Sequence, residues 1–237
     1  MLIDMHAHTS GISTCCRIPA PEVIRAALDA GLDGIVLTNH YQRSYVKDGD
    51  AAAFAKRYTD EYEYTKKCGD ELGCRVIYGM EVTMEKHGGA HILVYGLDPE
   101  FTVENPTLYD MTMEELYTLV KSCGGMLVQA HPFRRGRNML QDLAYLDGVE
   151  ANSHPLYDAT HVEKLTKIAQ EGGKILTSGG DYHADTPRPH CGAYLPDEIA
   201  DTKQLADFLM NTDTIDIEYQ EPGESVSHRT TYVRNPG

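Results

Sequence analysis

The chain has 237 residues, 41% of which are hydrophobic, and it carries a net charge of −15 at pH 7. This length can bury one large hydrophobic core. This net negative charge argues against a nucleic-acid partner, because nucleic-acid-binding surfaces are usually basic. Bound cations could still attract a compact anionic substrate. The six cysteines include no CxxC pair, and this pattern favours reduced thiols over a disulfide framework.

The sequence indicates neither a secretory leader nor a membrane span. Its first residues contain no cationic segment followed by an apolar one, so we expect no signal peptide. No apolar run approaches the length of a membrane span. We therefore expect a cytoplasmic protein without a membrane partner, while the pattern says little about oligomeric state.

Short apolar segments alternate along the chain with longer segments of helical periodicity. Pro21 begins and Gly31 ends the first predicted helix, and Thr112 with Glu115 forms a capping-box pattern. In chain order, the predicted elements are a strand at 2–5, a helix at 21–30, a strand at 34–38, a helix at 50–72, strands at 75–79 and 92–95, a helix from 112 to about 123, a strand at 125–129, a short helix around 138–145, a strand at 148–151, a helix at about 158–170, a strand at 174–177, a helix near 202–210 and a strand near 215–217.

This alternation predicts a single α/β domain over residues 1–237, with right-handed crossovers and a parallel sheet. We favour an α/β barrel as its architecture. An open doubly wound sheet is the competing architecture, but no glycine-rich phosphate fingerprint follows the first strand, which argues against the dinucleotide-binding form.

Residues of the metal-ligand type stand just after, or at the end of, predicted strands. They are His6, His8, His40, Glu81, His131, Glu150, Asp181 and His183. In a parallel α/β barrel, all C-terminal strand ends lie on one face, so these side chains would converge there. Imidazole and carboxylate ligands together suit Zn²⁺, Mn²⁺ or Fe²⁺. His91 precedes its strand, and its position alone predicts a structural role.

These motifs, in their order along the chain, resemble the polymerase-and-histidinol-phosphatase (PHP) family. The motifs are Asp4-Met-His6-Ala-His8-Thr-Ser10, Leu37-Thr-Asn-His40, Gly79-Met-Glu81, His91 before its strand, Ala130-His131-Pro132 with Arg134, Gly148-Val-Glu150-Ala-Asn152, and Gly180-Asp181-Tyr-His183. They span residues 4–183. The resemblance implies a distorted (β/α)7 TIM-like barrel with a trinuclear metal centre that hydrolyses phosphate esters.

The resemblance also implies which residues bind each metal. The first metal would take His6, His8, Glu81 and Asp181; the second Glu81 as a bridge, His91 and His131; and the third His40 and His183. Under this assignment His91 is a metal ligand, whereas its position alone predicts a structural role. We therefore expect two to three divalent ions, of zinc, manganese or iron.

The third site departs from the family pattern. Its usual Asp or His ligand falls in the segment Ser13-Thr14-Cys15, with Thr14 at the ligand position, and the second motif has Asn39 where the family commonly has Asp. A neutral hydroxyl is a poor ligand for a divalent cation, so we expect this site to have the lowest occupancy. Alternatively, Cys15 or Cys16 supplies a thiolate, although the simpler interpretation is that both are ordinary loop thiols.

The implied function is hydrolysis of a small, phosphorylated substrate, a histidinol-phosphatase-like phosphomonoester, through a metal-bridging hydroxide. Arg17, Arg134 and Arg188 lie in loops after ligand-bearing strands, and a guanidinium can bind phosphate bidentately. Each could instead be an ordinary surface arginine, and we favour Arg134 as the substrate-binding residue. Arg134 and His183 are the candidate catalytic residues.

Two other functions remain open at this point. A metal-dependent amidohydrolase also begins with an HxH motif, but the Asp181-x-His183 doublet and the His131-Pro132 context favour the phosphoesterase. A non-catalytic metal-binding module is the other alternative, and the complete first two sites argue against it. The sequence identifies neither the substrate nor the metal.

Overall fold

The computed structural model describes residues 1–136, 138–184 and 186–234, and this part of the chain contains twelve strands and six α-helices. In chain order, the strands are β1 (Leu2–Ala7), β2 (Gly34–Leu37), β3 (His40–Tyr41), β4 (Arg75–Tyr78), β5 (Met80–Met84), β6 (Ala90–Tyr95), β7 (Met126–Gln129), β8 (Gly148–Asn152), β9 (Ile175–Gly179), β10 (Gly192–Tyr194), β11 (Thr214–Tyr219) and β12 (His228–Val233). The helices are α1 (Ala20–Asp29), α2 (Ala51–Leu72), α3 (Glu100–Glu104), α4 (Met113–Ser122), α5 (Val162–Gly172) and α6 (Thr202–Asn211).

The strands form two mixed six-stranded sheets, in the orders β12-β11-β10-β1-β2-β4 and β3-β5-β6-β7-β8-β9. The predicted parallel pairing is confirmed for β1-β2-β4 and for β7-β8-β9. It is wrong for β6, which runs antiparallel to both β5 and β7. The connection from β5 to β6 is a short turn through Gly88 and Gly89, both in the left-handed region, and such a turn is too short for a parallel crossover.

Hydrogen bonds continue from one sheet into the other. Where the paired strands β2 and β4 end, the amide of Gly79 donates to Leu37 O (3.0 Å), and the amide of Glu81 donates to Asn39 O (3.2 Å). On the other side of β1, the amide of Asp181, just after β9, donates to His6 O (2.9 Å). β1 therefore lies between the end of β2 and the segment that follows β9.

Both sheets contribute to a shared hydrophobic core. Ile3 and Val36 of the first sheet belong to the same buried cluster as Leu93 and Val128 of the second. The helices were largely predicted, and the capping box of Thr112 at the start of α4 is confirmed. None of the described helices combines the length and apolarity that crossing a membrane requires.

The predicted helix at 138–145 is wrong. Its described part contains one 3₁₀ turn, Leu143–Tyr145. Upstream, the Gln129 side chain donates to Met139 O (2.9 Å) and accepts from the amide of Gln141 (2.8 Å). These bonds satisfy backbone groups that a helix would otherwise pair.

Candidate metal centre

Glu81 lies at the centre of a buried cluster of histidines. Its Oε1 is 2.7 Å from His91 Nδ1, 3.1 Å from His131 Nε2 and 3.4 Å from His6 Nε2. Its Oε2 is 2.5 Å from His40 Nδ1 and 3.5 Å from His8 Nε2. Both carboxylate oxygens thus face imidazole nitrogens, which is the arrangement that a bridging ligand requires.

His6, His8 and Asp181 form the first group around Glu81. The alternation along β1 turns both imidazoles the same way, so that His6 Nε2 and His8 Nε2 are 3.0 Å apart. Asp181 Oδ1 lies 3.0 Å from His8 Nε2. One ligand atom from each of these four residues lies within 4.8 Å of the others, and all four residues are buried.

The antiparallel direction of β6 explains the position of His91. Because β6 runs against β5, its first residues lie at the same edge as the last residues of β5, and His91 is opposite Thr83. His91 Nδ1 therefore reaches Glu81 although the residue precedes its strand. The structural role predicted from its position alone is not supported, because that argument assumed a parallel sheet.

His40 and His183 form a second pair next to His8. Their Nε2 atoms are 3.4 Å apart, and one ligand atom of each lies within 4.8 Å of a ring nitrogen of His8. His183 Nδ1 donates to Asp181 O (2.7 Å), which leaves its Nε2 lone pair directed at His40.

Glu150 orients two of the histidines, a role that sequence reasoning did not assign. Its carboxylate, fully buried at β8, is 3.0 Å from His6 Nδ1 and accepts the backbone amide of His131 at 3.0 Å. Asn152 Nδ2 donates to the same carboxylate at 2.9 Å. Bonding of His6 Nδ1 to a carboxylate leaves its Nε2 as the lone-pair atom, as in carboxylate–histidine–metal arrangements.

Ser13 and Asn138 also hold cluster residues, and sequence reasoning missed both. Ser13 Oγ is 3.1 Å from His8 Nδ1 and accepts the amide of His40 at 3.0 Å. Asn138 Nδ2 lies 2.9 Å from His131 Nδ1. Neither contact could be found from the sequence, because each joins segments whose relative position depends on the whole fold.

The electrostatics of the cluster favour ionised Glu81 and Asp181 and divide the histidines into two groups. Burial opposes ionisation of Glu81, but the facing His91 and His40 outweigh it and hold the pKa of Glu81 well below its usual range. Burial opposes protonation of His6 and His40, but Glu150 outweighs it and raises the pKa of His6, and Glu81 raises the pKa of His40 to about 10. Burial lowers the pKa of His131 to about 4, and burial with the neighbouring His183 lowers the pKa of His8. Neutral imidazole is the form that binds a metal ion.

Two cluster residues have unusual backbone conformations. His131 has a φ of 33° and Asp181 a φ of 48°, in the left-handed region that residues other than glycine rarely adopt. Such conformations cost of order 1–3 kcal/mol each and persist where surrounding structure enforces them, commonly at functional sites. Here the amide of Asp181 is tied to His6 O, and the amide of His131 is tied to Glu150.

The donor atoms of this cluster fit divalent metal ions. His40 Nδ1 and Glu81 Oε2 are buried 2.5 Å apart, and neither has another hydrogen-bond partner in the described part of the chain. His6 Nδ1 and His8 Nδ1 contact Glu150 and Ser13, so in the neutral imidazoles the two facing Nε2 atoms carry the lone pairs. Nitrogen and carboxylate donors in this mixture suit zinc, manganese or iron.

An open cavity of about 630 Å³ gives access to the cluster. Its lining includes His40, His91, Asp181 and His183 together with Arg134 and Tyr157. Arg134 donates to the Tyr157 hydroxyl (2.9 Å), and that hydroxyl donates in turn to Asp181 Oδ2. Of the three predicted substrate-binding arginines, Arg134 is therefore brought to the cluster.

The structure places Arg17 and Arg188 elsewhere. Arg17 is exposed and is not among the described residues that line the cavity. The side chain of Arg188 is 3% exposed and pairs with Asp4 Oδ2 at 2.6 Å. The loop position of Arg188 did not predict this contact, in which the buried carboxylate of Asp4 holds the guanidinium in the protein interior.

Thr14, Cys15 and Cys16 were the candidates for the remaining ligand of the third site, and the structure gives them different surroundings. Thr14 is exposed and makes hydrogen bonds to Tyr45. Cys16 is buried, and its Sγ donates to the backbone oxygens of His8 (3.5 Å) and Ile18 (3.6 Å). Cys15 lines the cavity beside His40. Burial opposes ionisation of the Cys15 thiol, but interactions with the two neighbouring histidines outweigh it and lower its pKa to about 6.

Comparison with known proteins gives a family match and a shared fold. The PHP domain family model matches residues 4–185. A structure from Bifidobacterium adolescentis, named as a candidate metal-dependent phosphoesterase, is 17% identical with a TM-score of 0.57, covering 89% of this chain and 96% of the other. PsfC from Pseudomonas syringae is 17% identical with a TM-score of 0.56, covering 94% and 83%.

A third similar structure is a two-domain protein from Bacteroides vulgatus that contains a predicted PHP-like metal-dependent phosphoesterase. It is 16% identical, with a TM-score of 0.60, and the alignment covers 92% of this chain but 58% of that protein. No match was found among curated proteins.

Proposed function

Because the chain belongs to the PHP domain family, we propose that it is a metal-dependent phosphoesterase that hydrolyses a small phosphomonoester, in the manner of a histidinol phosphatase. The observation that carries this proposal is the buried Glu81 carboxylate, whose two oxygens both face histidines at the side of an open cavity. That cavity also contains a guanidinium, Arg134, placed to bind an anionic group.

We assign the metal ligands in three groups. His6, His8, Glu81 and Asp181 would hold the first divalent ion, Glu81 with His91 and His131 the second, and His40 with His183 the third. Ions bound there would supply Lewis-acid activation of water and of the phosphoryl oxygens. Three adjacent cations would also reverse the strongly acidic charge of the chain at the one place where a phosphate must approach.

The protein's own part in the reaction would be to orient and bind. Arg134 would hold the phosphate, since a planar guanidinium can make two parallel hydrogen bonds to its oxygens. Tyr157 keeps that guanidinium next to the cluster through its hydroxyl, and the ring lies 5.2 Å from the guanidinium carbon. His183 has Nδ1 on Asp181 O and Nε2 facing His40, an arrangement that favours a ligand over a mobile proton donor.

We also propose that the strands close into a distorted seven-stranded barrel. β2 with β3, and β4 with β5, would each act as one bent strand, in line with the bonds of Gly79 and Glu81 that continue their pairing. The bond from Asp181 to His6 and the bridge between Ala7 and Tyr182 support closure between β9 and β1.

The test is hydrolysis by metal-stripped protein reloaded separately with Zn²⁺, Mn²⁺ or Fe²⁺. A panel of phosphomonoesters, with amide substrates included, should show phosphate release that depends on the added metal. Glu81→Gln, which keeps the size of the side chain but removes its charge, should lose this activity. Hydrolysis of amides alone would support an amidohydrolase, and bound metal without any hydrolysis would support a non-catalytic module; either result would overturn the proposal.

A further inference from the structure

The third metal position has a sulfur atom beside it. His40 and His183 direct their Nε2 atoms at each other across 3.4 Å. Two nitrogens bound to one tetrahedral zinc at about 2.0–2.1 Å are about 3.3–3.4 Å apart, so this spacing already matches a shared ion. Cys15 lines the same cavity as both histidines, and its thiol interacts electrostatically with each of them.

The loop around Cys15 is attached to both histidine-bearing segments. On one side of Cys15, Ser13 Oγ accepts the backbone amide of His40 (3.0 Å). On the other side, the amide of Arg17 donates to the backbone oxygen of His183 (3.0 Å). The loop that carries the thiol is therefore tied to both histidine-bearing segments by contacts that do not involve the sulfur.

The other candidate ligands of this loop are directed elsewhere. The Cys16 thiol is buried against the backbone oxygens of His8 and Ile18, and Thr14 is exposed. Tyr45 OH lies 3.7 Å from Cys15 Sγ, within hydrogen-bond distance of the sulfur. His40 is buried, and its Nδ1 lies 2.5 Å from Glu81 Oε2, so its Nε2 is the nitrogen that faces His183.

We infer that Cys15 is a thiolate ligand of the third metal position, completing a sulfur-and-nitrogen set with His40 and His183. This inference rests on the proposed metal centre and adds a ligand to it. A thiolate is a softer ligand than the carboxylate or imidazole expected at this position, so the site prefers zinc or cobalt to manganese. The expectation of a weakly occupied third site, which assumed Thr14 as the ligand, is replaced.

The test uses metal-stripped full-length protein carrying Cys123→Ser, which removes the other exposed thiol, titrated with Co²⁺ alone. We expect a near-ultraviolet sulfur-to-cobalt charge-transfer band, and its loss when Cys15→Ser is added to the same background. Absence of the band at full cobalt loading, or its persistence after Cys15→Ser, would overturn the inference.

A second measurement needs no substitution near the site. In the same Cys123→Ser protein, zinc should protect Cys15 from alkylation, as read by peptide mass spectrometry, and unchanged alkylation would count against ligation. Phosphate release measured on the same samples separates the two proposals. Hydrolysis without the band refutes only the Cys15 ligand, and the band without hydrolysis refutes only the phosphoesterase.

Discussion

Replacing Glu150 tests how the ligand cluster is held in place. The Glu150 carboxylate lies fully inside the protein and contacts His6 Nδ1, the backbone amide of His131 and the side chain of Asn152. His6 belongs to the first proposed metal site and His131 to the second. One buried carboxylate therefore supports both sites, although it is itself not among their proposed ligands.

The size of the effect follows from the donors that Glu150 accepts. Glu150→Gln keeps the shape but replaces one oxygen with an NH₂ group, which must face either His6 Nδ1 or the donors on the other side. One buried donor then faces another donor, and an unsatisfied buried group costs about 1–3 kcal/mol. Loss of a carboxylate behind a ligating histidine typically weakens metal affinity by about 10–100-fold.

Urea unfolding and metal titration separate these two effects. Metal-free Glu150→Gln protein should be less stable than wild type by about 1–3 kcal/mol. Metal-loaded protein should lose a further roughly 1.4–2.7 kcal/mol for each weakened site, the equivalent of the affinity change. Glu63→Gln, on an exposed face of α2, is the matched control and should change neither value. Wild-type metal affinity in Glu150→Gln would refute this reasoning.

Three further substitutions test the centre at other points. His131→Ala should abolish turnover and reduce metal content while leaving a folded protein, as checked by metal analysis and thermal unfolding; full activity would exclude a ligand role. Arg134→Ala should raise KM or lower kcat/KM at unchanged metal content, with partial rescue by Arg134→Lys because a point charge cannot make the forked contact; steady-state kinetics unchanged in both variants would show that Arg134 does not bind substrate. Gly179→Ala places a Cβ 2.4 Å from Glu150 Oε1 and 2.5 Å from His6 Cβ, so it should destabilise the protein by about 1–3 kcal/mol and weaken metal binding, and wild-type urea unfolding would show that β9 adjusts.

The positions of the ligand-type residues could be predicted because nearly all of them directly follow, or end, a predicted strand. His6 and His8 share one direction because side chains alternate along β1, and this local rule is independent of the rest of the fold. His91 shows where such reasoning ends. Its side chain reaches Glu81 only because β6 runs antiparallel to β5, and strand direction follows from a short turn that was not recognised in the sequence.

Residues that orient the cluster were harder to predict than the cluster itself. Glu150 was recognised at a strand end, but its contacts with His6 and His131 join three segments that are distant in sequence. Tyr157 is one of 15 tyrosines and has no pattern that separates it from the others. Its contact with Asp181 depends on the path of the segment after β8, which neither periodicity nor capping signals determine.

Asp4 and Arg188 show that a motif can contain supporting residues as well as ligands. Asp4 Oδ1 accepts the amides of His6 (2.9 Å) and Gly180 (2.8 Å), and Oδ2 accepts from Arg188 (2.6 Å). This single carboxylate fixes β1 next to the segment that carries Asp181. A charge buried among polar partners is costly unless every partner is in place, so the pair is stable only when both ligand-bearing segments are correctly positioned. Asp4 therefore belongs to the first motif for a physical reason distinct from metal binding: it fixes His6 beside the segment that carries Asp181, as the proposed first metal site requires.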